Sequence, residues 1–489
     1  MTVYCQFKPR FNFKHALSAG IFVLVSSCAL TGSSSAEKFE TRQWLAGDHH
    51  IHSRYSVGWD IKVNPPLPIM GGDAIYTIAM NAFMAKYFGL SWIVATDHGG
   101  PNHSKINLEL AYPQLVQSRN VVSEVIQFYG MELNTPAGDH SSVIIPHTHD
   151  ESEVLYHLET GFDRLEVFPL EPSRNTEDKM IEALEFMKKL KKPPVVIANH
   201  PSRSATDYGV YGHFDPAEFR RWNDTAPDIA VGMAAAPGHQ AIAFSNSPKI
   251  TDDIMRARGF YRGYPTLGGF DQMTAKVGGF WDSMLGEGRR WWVTANSDSH
   301  QHYTEGGVDF WPGEYSKTYV FADKNHDSIL ANLRAGHMFV TTGHLISELY
   351  VEVTHEDSMA SIGEEIIVPR NSDVTIKIRV RDPATKNPAG DNPRVKRIDL
   401  IVGKVTGKVS DPNSNANETT RVVKRFYSRD WEKQGEYLTM RYVMPATSQH
   451  YVRVRGTNTD ELEPERDPPA ENPWHDLWFY SNPIFIVTE

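Results

Sequence analysis

The stretch Gly47-Asp48-His49-His50-Ile51-His52-Ser53 places three histidines within four residues. His50 and His52 are separated by one residue, so on an extended strand their side chains leave the same face. Two neutral imidazoles converging from one rigid strand supply half the ligands of a metal ion. His49 leaves the opposite face and is not read as a ligand.

The other histidines and acids fall at the ends of apolar runs. Asp97 and His98 follow "SWIVAT" in "ATDHGG", Glu132 stands in "GMELN", and His140 opens "GDHSSVIIP". His200 lies in "ANHPSR", and Asp298 and His300 in "NSDSH", which repeats the one-residue alternation of His50 and His52. A single His or Asp at a strand end is ordinarily a helix cap or a satisfied polar residue. Many of them in register form a site, because the C-terminal ends of the strands in an α/β barrel open into one mouth. His140 is the exception, since it begins a run instead of ending one.

These residues must be carried by strands alternating with helices. Seven strands are expected at "QWLAG", "SWIVAT", "EVIQFYG", "SSVIIP", "PVVIAN", "IAVGMAAA" and "WWVTAN". Amphipathic patterns such as "GGDAIYTIAMNAFMAKYF" and "TEDKMIEALEFMKKLKK" lie between them. The fold class read from this pattern is α/β, a distorted seven-stranded barrel over residues 37–345. Residues 204–275, rich in Gly, Pro and aromatic residues, read as an elaborated loop region over one end. From 346 to 489 the runs alternate in the manner of strands, with no helical pattern, which reads as an all-β sandwich-like domain.

The first 36 residues have the layout of a secretory leader: Lys8, Arg10 and Lys14, then an apolar run, then small residues. Cleavage after Ala36 and a lipoprotein-type attachment at Cys28 are both open, and either implies an exported protein, periplasmic or tethered to a bacterial outer membrane. Setting the leader aside removes three of the 49 basic residues, leaving 46 against 60 acidic ones, a formal charge of −14. That balance argues against nucleic acid as a partner. Both cysteines, Cys5 and Cys28, lie in the leader, so the remaining chain has no disulfide and no thiolate ligand. No later segment is apolar enough to span a bilayer.

The series "GDHHIHS", "ATDHG", "GMEL", "GDH", "NHP" and "SDSH", in this order, resembles the PHP (polymerase and histidinol phosphatase) superfamily over about residues 43–345. The run "WDSMLGEGRRWWVTANSDSH", with "TYVFADKNHDSILANLRAGHMFVTTG" and "YSNPIFIV", is similar to its exported carbaryl-hydrolase-like branch, which carries a C-terminal β-domain. The resemblance implies that His50, His52, Glu132 and Asp298 hold one metal. It further implies that Glu132 bridges to a second metal on His140 and His200, and that His98 and His300 hold a third. Another ligand of that third site usually follows the His-x-His motif by a few residues; the nearest candidate here is Asp60, about one residue further on.

Imidazole and carboxylate ligands without sulfur suit two or three divalent Zn, Mn or Fe ions. Such a centre activates water for hydrolysis. Arg203, three residues after His200, is a candidate clamp for an anionic oxygen. Asp97 is a candidate for orienting His98 or for protonating a leaving group. Arg54 is read as solvated, and His103, His147, His149 and His302 are weaker competitors for ligand roles.

The function expected is an exported metal-dependent phosphoesterase acting on small mono- or diesters. The alternatives are a carboxylic ester, carbamate or amide hydrolase with the same centre, and a non-catalytic metal-bound binding protein at the cell surface. The oligomeric state is left open.

Overall fold

Runs of small and β-branched residues form β1 (Gln43–Ile51), β2 (Trp92–Ala95), β3 (Ile126–Asn134), β4 (His140–Ile145), β5 (Val195–Asn199), β6 (Ala230–Ala236) and β7 (Trp292–Ala295). The computed structural model describes residues 42–248, 250, 258, 261 and 263–489; the leader with Cys28, and part of the 204–275 segment, lie outside the described residues. The seven strands are neighbours in this order within one large mixed sheet. β1, β2 and β3 run parallel, as do β5, β6 and β7.

β4 is antiparallel to both β3 and β5, which puts its first residue level with their last: His140 sits opposite Asn134 and Asn199. The positional exception of His140 is thereby resolved. The β1–β2 register shifts between Asp48 and Ile51. Such an irregularity bends a strand locally, and here it falls where His50 and His52 leave the backbone.

A closed seven-stranded barrel is not drawn by the strand pairing. The far side of β1 is taken by β8 (Ser316–Ala322), antiparallel, and side chains meet the outer edge of β7. The Val293 N–H donates to Asn482 Oδ1 at 2.9 Å, and Asn482 Nδ2 donates back to the Val293 carbonyl at 3.3 Å. The Ala295 N–H donates to Thr318 Oγ1 at 2.8 Å. Beyond β7 the chain touches β1 directly: Ile51 bridges Ser299, and the Asp298 N–H donates to the His50 carbonyl at 3.0 Å.

The connecting helices begin where the sequence supplies caps. Thr77 accepts from the Met80 N–H ahead of Ile78–Tyr87, and Thr176 from the Lys179 N–H ahead of Glu177–Lys188. Asp215 caps Pro216–Thr225, with Pro216 in the first turn, where a missing N–H costs nothing. The helix His326–Ala335 ends on Gly336 at φ +77°, followed by β9 (Met338–Thr342).

After β9 the strands divide between two sheets. Glu348–His355, Asp373–Arg381 and Tyr437–Pro445 belong to a separate five-stranded antiparallel sheet. Arg397–Lys404, His450–Thr457, Trp478–Ser481 and Ile484–Thr488 extend the large sheet, joined to β9 through Val340 opposite Tyr480. Alternate residues Val374, Ile376, Ile378 and Val380 are fully buried in one apolar cluster with Leu400, Val452 and Val454. Each such side chain stabilises the packing by roughly 1.5–3 kcal/mol relative to exposure. The described residues from 42 onward belong to one compact unit, Thr41–Glu489.

Candidate metal centre

Glu132, at the end of β3, is surrounded by imidazoles. Its Oε1 lies 2.9 Å from His50 Nε2, 3.1 Å from His140 Nδ1 and 3.2 Å from His200 Nε2, and its Oε2 lies 3.4 Å from His52 Nε2. Asp298 Oδ1 faces the same two β1 histidines, 3.1 Å from His50 and 3.2 Å from His52. Strand ends 250 residues apart in the chain therefore meet around two carboxylates. Glu132, His50, His52, His200 and Asp298 are all buried.

Among the described residues five groups of donor atoms lie close enough together to hold a cation, and three of them share Glu132 or His52: His50, His52 and Glu132; Glu132, His140 and His200; and His52, Asp73, His98 and His300; the other two are His239, His300 and Asp309, and Asp467, Glu471 and Asp476. In the third group Asp73 Oδ2 is 3.1 Å from His98 Nε2 and 3.4 Å from His300 Nε2. Asp60, the expected carboxylate, is not part of it. Asp60 sits in the short strand Gly58–Asp60, where its Oδ1 accepts the Lys62 N–H at 3.0 Å. Asp73 reaches the histidines from the loop ahead of the helix Ile78–Tyr87, thirteen residues further along.

Asp97 acts at a different histidine from the one expected. It accepts from the Ser53 N–H at 2.6 Å, from Ser53 Oγ at 2.7 Å and from Ser56 Oγ at 3.0 Å. Ser56 Oγ, having donated to Asp97, accepts from His52 Nδ1 at 2.8 Å. His52 is thereby fixed with its proton on Nδ1 and its Nε2 lone pair turned toward Glu132 and Asp298. His98 touches this pair only through its backbone N–H, which donates to Ser56 Oγ at 3.2 Å. Burial raises the Asp97 carboxyl above its ordinary range.

Arg203 Nη2 lies 2.8 Å from Asp139 Oδ1, and Asp139 Oδ2 lies 3.6 Å from His200 Nδ1. His49, as expected, faces away: it is fully buried between Ser142 Oγ at 3.1 Å and Thr294 Oγ1 at 2.8 Å. Burial pushes its imidazole down to about 3, so it stays neutral. His103 lies 2.6 Å from Glu159, His302 3.0 Å from Glu314 and His147 3.1 Å from Glu151, while His149 is almost fully exposed.

Two further residues enter from segments without a motif. His239 follows β6, with Nε2 2.5 Å from Asp298 Oδ2 and Nδ1 hydrogen-bonded to Asp309. Asp309 Oδ2 accepts the N–H groups of His300 at 2.7 Å and Gln301 at 3.1 Å. His200, His239 and Asp298 all have positive φ, at +29°, +51° and +49°. Non-glycine residues rarely adopt this conformation, and it concentrates where function requires it.

The donor set fits divalent metal ions. Separations of 2.9–3.4 Å are those of atoms sharing one cation at about 2.0–2.2 Å. His50 Nε2 and His52 Nε2 face each other at 2.9 Å, and the buried Asp298 Oδ2 and His140 Nδ1 make no directed hydrogen bond among the described residues. Burial disfavours charge on Glu132, yet the imidazoles of His140 and His50 hold its carboxyl well below the usual range. Burial likewise opposes charge on Asp298, and His239 and His50 hold it low. A cavity of about 290 Å³ opens over the group, lined among others by Arg203, His239, Ser247, Ile250 and Val308.

No protein-family model matches the chain, and no curated protein matches it. Among solved structures, it is similar to the crystal structure of Endonuclease Q in complex with a 27-mer duplex substrate carrying an abasic lesion at the active site. The match covers 60% of this chain and 56% of that one, at 12% identity and a TM-score of 0.30. The chain thus spans little more than half of the endonuclease. That duplex runs against the expectation that nucleic acid is no partner, and the expectation is withdrawn. Net charge sums the whole surface, whereas a partner meets the local field of one cleft.

Proposed function

We propose that this protein is a metal-dependent hydrolase whose His/Asp/Glu centre activates water against phosphoesters, mono- or diester. The observation that supports the reading is Glu132, one carboxylate with four imidazoles within 3.4 Å, which is the arrangement of an acid bridging two ions. In this reading His50, His52, Glu132 and Asp298 hold one ion, Glu132, His140 and His200 a second, and Asp73, His98 and His300 a third. Zn, Mn or Fe bound there supplies Lewis acidity and a water of lowered pKa. Asp97 and Ser56 keep His52 in its metal-facing tautomer. Arg203, at the cavity wall, binds an anionic oxygen of the substrate.

The ring of β1–β7, with its gap bridged by side chains, is read as a distorted barrel of the PHP type, and residues 346–489 as a sandwich-like β-part. The composition of residues 1–36 supports export, with cleavage after Ala36 or attachment at Cys28.

A second reading, hydrolysis of a carboxylic ester, carbamate or amide, is favoured by one observation. Among the described residues Arg203 is the one Lys or Arg side chain lining the cavity, and it is already paired with Asp139. Assay of metal-loaded protein with p-nitrophenyl phosphate, bis-p-nitrophenyl phosphate, an abasic DNA duplex and 1-naphthyl esters tests both. Turnover of the phosphoesters is expected; turnover confined to the naphthyl compounds overturns the first reading in favour of the second.

A further inference from the structure

His239 comes from a turn that is pressed against the centre. A Cβ added to Gly238, at φ +89°, would lie 2.4 Å from Asp298 Cβ, so this position admits only glycine without displacement. The next residue, His239, takes φ +51° and is 9% exposed at the wall of the cavity. A strained, close-packed turn is therefore used to deliver one imidazole.

The imidazole is oriented from behind. A carboxylate only accepts, so the hydrogen bond to Asp309 Oδ1 places the His239 proton on Nδ1. Asp309 is itself fixed by the backbone N–H groups of His300 and Gln301. A histidine whose outer nitrogen is bound to a carboxylate is the usual support of a metal ligand. The inner nitrogen, Nε2, faces Asp298 Oδ2 at 2.5 Å. That oxygen accepts no directed hydrogen bond among the described residues. With both ring nitrogens protonated the imidazole bridges Asp298 and Asp309; with Nε2 deprotonated its lone pair and Asp298 Oδ2 are placed to share a metal cation. His300 lies alongside, its ring centroid 5.5 Å from that of His239 and its Nδ1 3.8 Å from Asp298 Oδ1.

We propose that His239 is an additional metal-binding residue of the centre, on the cavity side of Asp298, with Asp309 as its orienting carboxylate. The proposal rests on the reading of the centre as metal-binding and adds to it an imidazole from the segment between β6 and β7. The ion is a divalent cation of the class that takes nitrogen and oxygen ligands.

The test uses the whole protein loaded with Zn²⁺ or Co²⁺, with metal content measured by mass spectrometry, affinity by chelator competition, and the Co²⁺ absorption spectrum. His239→Ala is expected to lose one equivalent of metal or to bind it about 10- to 100-fold more weakly, with an altered Co²⁺ spectrum. Asp309→Asn is expected to weaken binding in the same direction, and the surface variant His149→Ala to leave it unchanged. Wild-type stoichiometry, affinity and spectrum in His239→Ala overturn the proposal while leaving the metal centre standing. If the alanine variant does not fold, unchanged affinity in Asp309→Asn overturns it instead. Absence of stoichiometric metal from the wild-type protein overturns both this proposal and the reading beneath it.

Discussion

Ser56 Oγ lies 2.8 Å from His52 Nδ1 and, through its own proton, binds Asp97, so an acid that never touches the donor cluster decides which nitrogen of His52 faces it. Ser56→Ala removes the acceptor and frees the ring to take the other tautomer. Metal affinity is expected to fall about 10- to 100-fold, the range for losing an orienting partner, with little change in the thermal melt. Chelator competition on the two proteins checks it; unchanged affinity would show that packing alone orients His52.

Glu132→Gln removes the charge shared by the first two donor groups while keeping its volume. We expect loss of two equivalents of metal and of nearly all turnover. Mass spectrometry of dialysed protein is the measurement, and full metal content in a folded variant would contradict the bridging assignment.

Asp73→Asn and Asp60→Asn make a paired comparison. The first is expected to lower metal content or turnover, because Asp73 lies within 3.4 Å of both His98 and His300. The second is expected to match wild type, since among the described residues the Asp60 carboxylate hydrogen-bonds only the Lys62 N–H. The reverse result would restore Asp60 as the ligand.

Lys317 offers a pH prediction away from the centre. Its Nζ donates to the Phe88 carbonyl at 2.7 Å, and burial pushes its ammonium down from 10.5 to about 7. Below about 7 the lysine is charged in both states and the cost of burying that charge is fully present. Between about 7 and 10.5 the unfolded chain binds more protons, so stability rises with pH, and the cost is gone above that window. Lys317→Met is expected to stabilise the protein at pH 7, on the order of 4 kcal/mol, and to flatten the rise toward pH 10. Urea unfolding of both proteins at pH 7 and 9.5 measures it.

The centre was legible where chemistry coincided with a strand end. His50, His52, His98, Glu132, His200, Asp298 and His300 each sit beside an apolar run that ends at the same mouth. His140 was legible by residue type but not by position, because strand direction is set by pairing partners many residues away. Asp73, His239 and Asp309 stand in loops whose paths are fixed by tertiary contacts, so nothing in their immediate neighbours marks them. The glycine before His239 was the available signal, and a Gly-His pair in a Gly-rich segment is weak. Asp60 lies outside the donor group because nearness along the chain is not nearness in space: the short hairpin of Gly58–Asp60 with Leu67–Ile69 carries the chain away before Asp73 returns.

Glu348–His355 and Asp373–Arg381 reproduce the alternation because one face is buried and the other partly wet, whereas Arg397–Lys404 and His450–Thr457 are buried on almost every residue. Their division between two sheets was not visible, since every one of them reads alike and only packing decides which edge each joins.

Asn482 stands seven residues from the end of the described chain, yet its amide does for Val293 what a neighbouring backbone would do. A protein shortened to its histidine-bearing portion would thus leave a raw sheet margin beside Asp298, open to adhesion by other chains. Whoever expresses this protein in pieces should expect insoluble material from the longer fragment, and a tag is better placed after Glu489 than in exchange for the last strands.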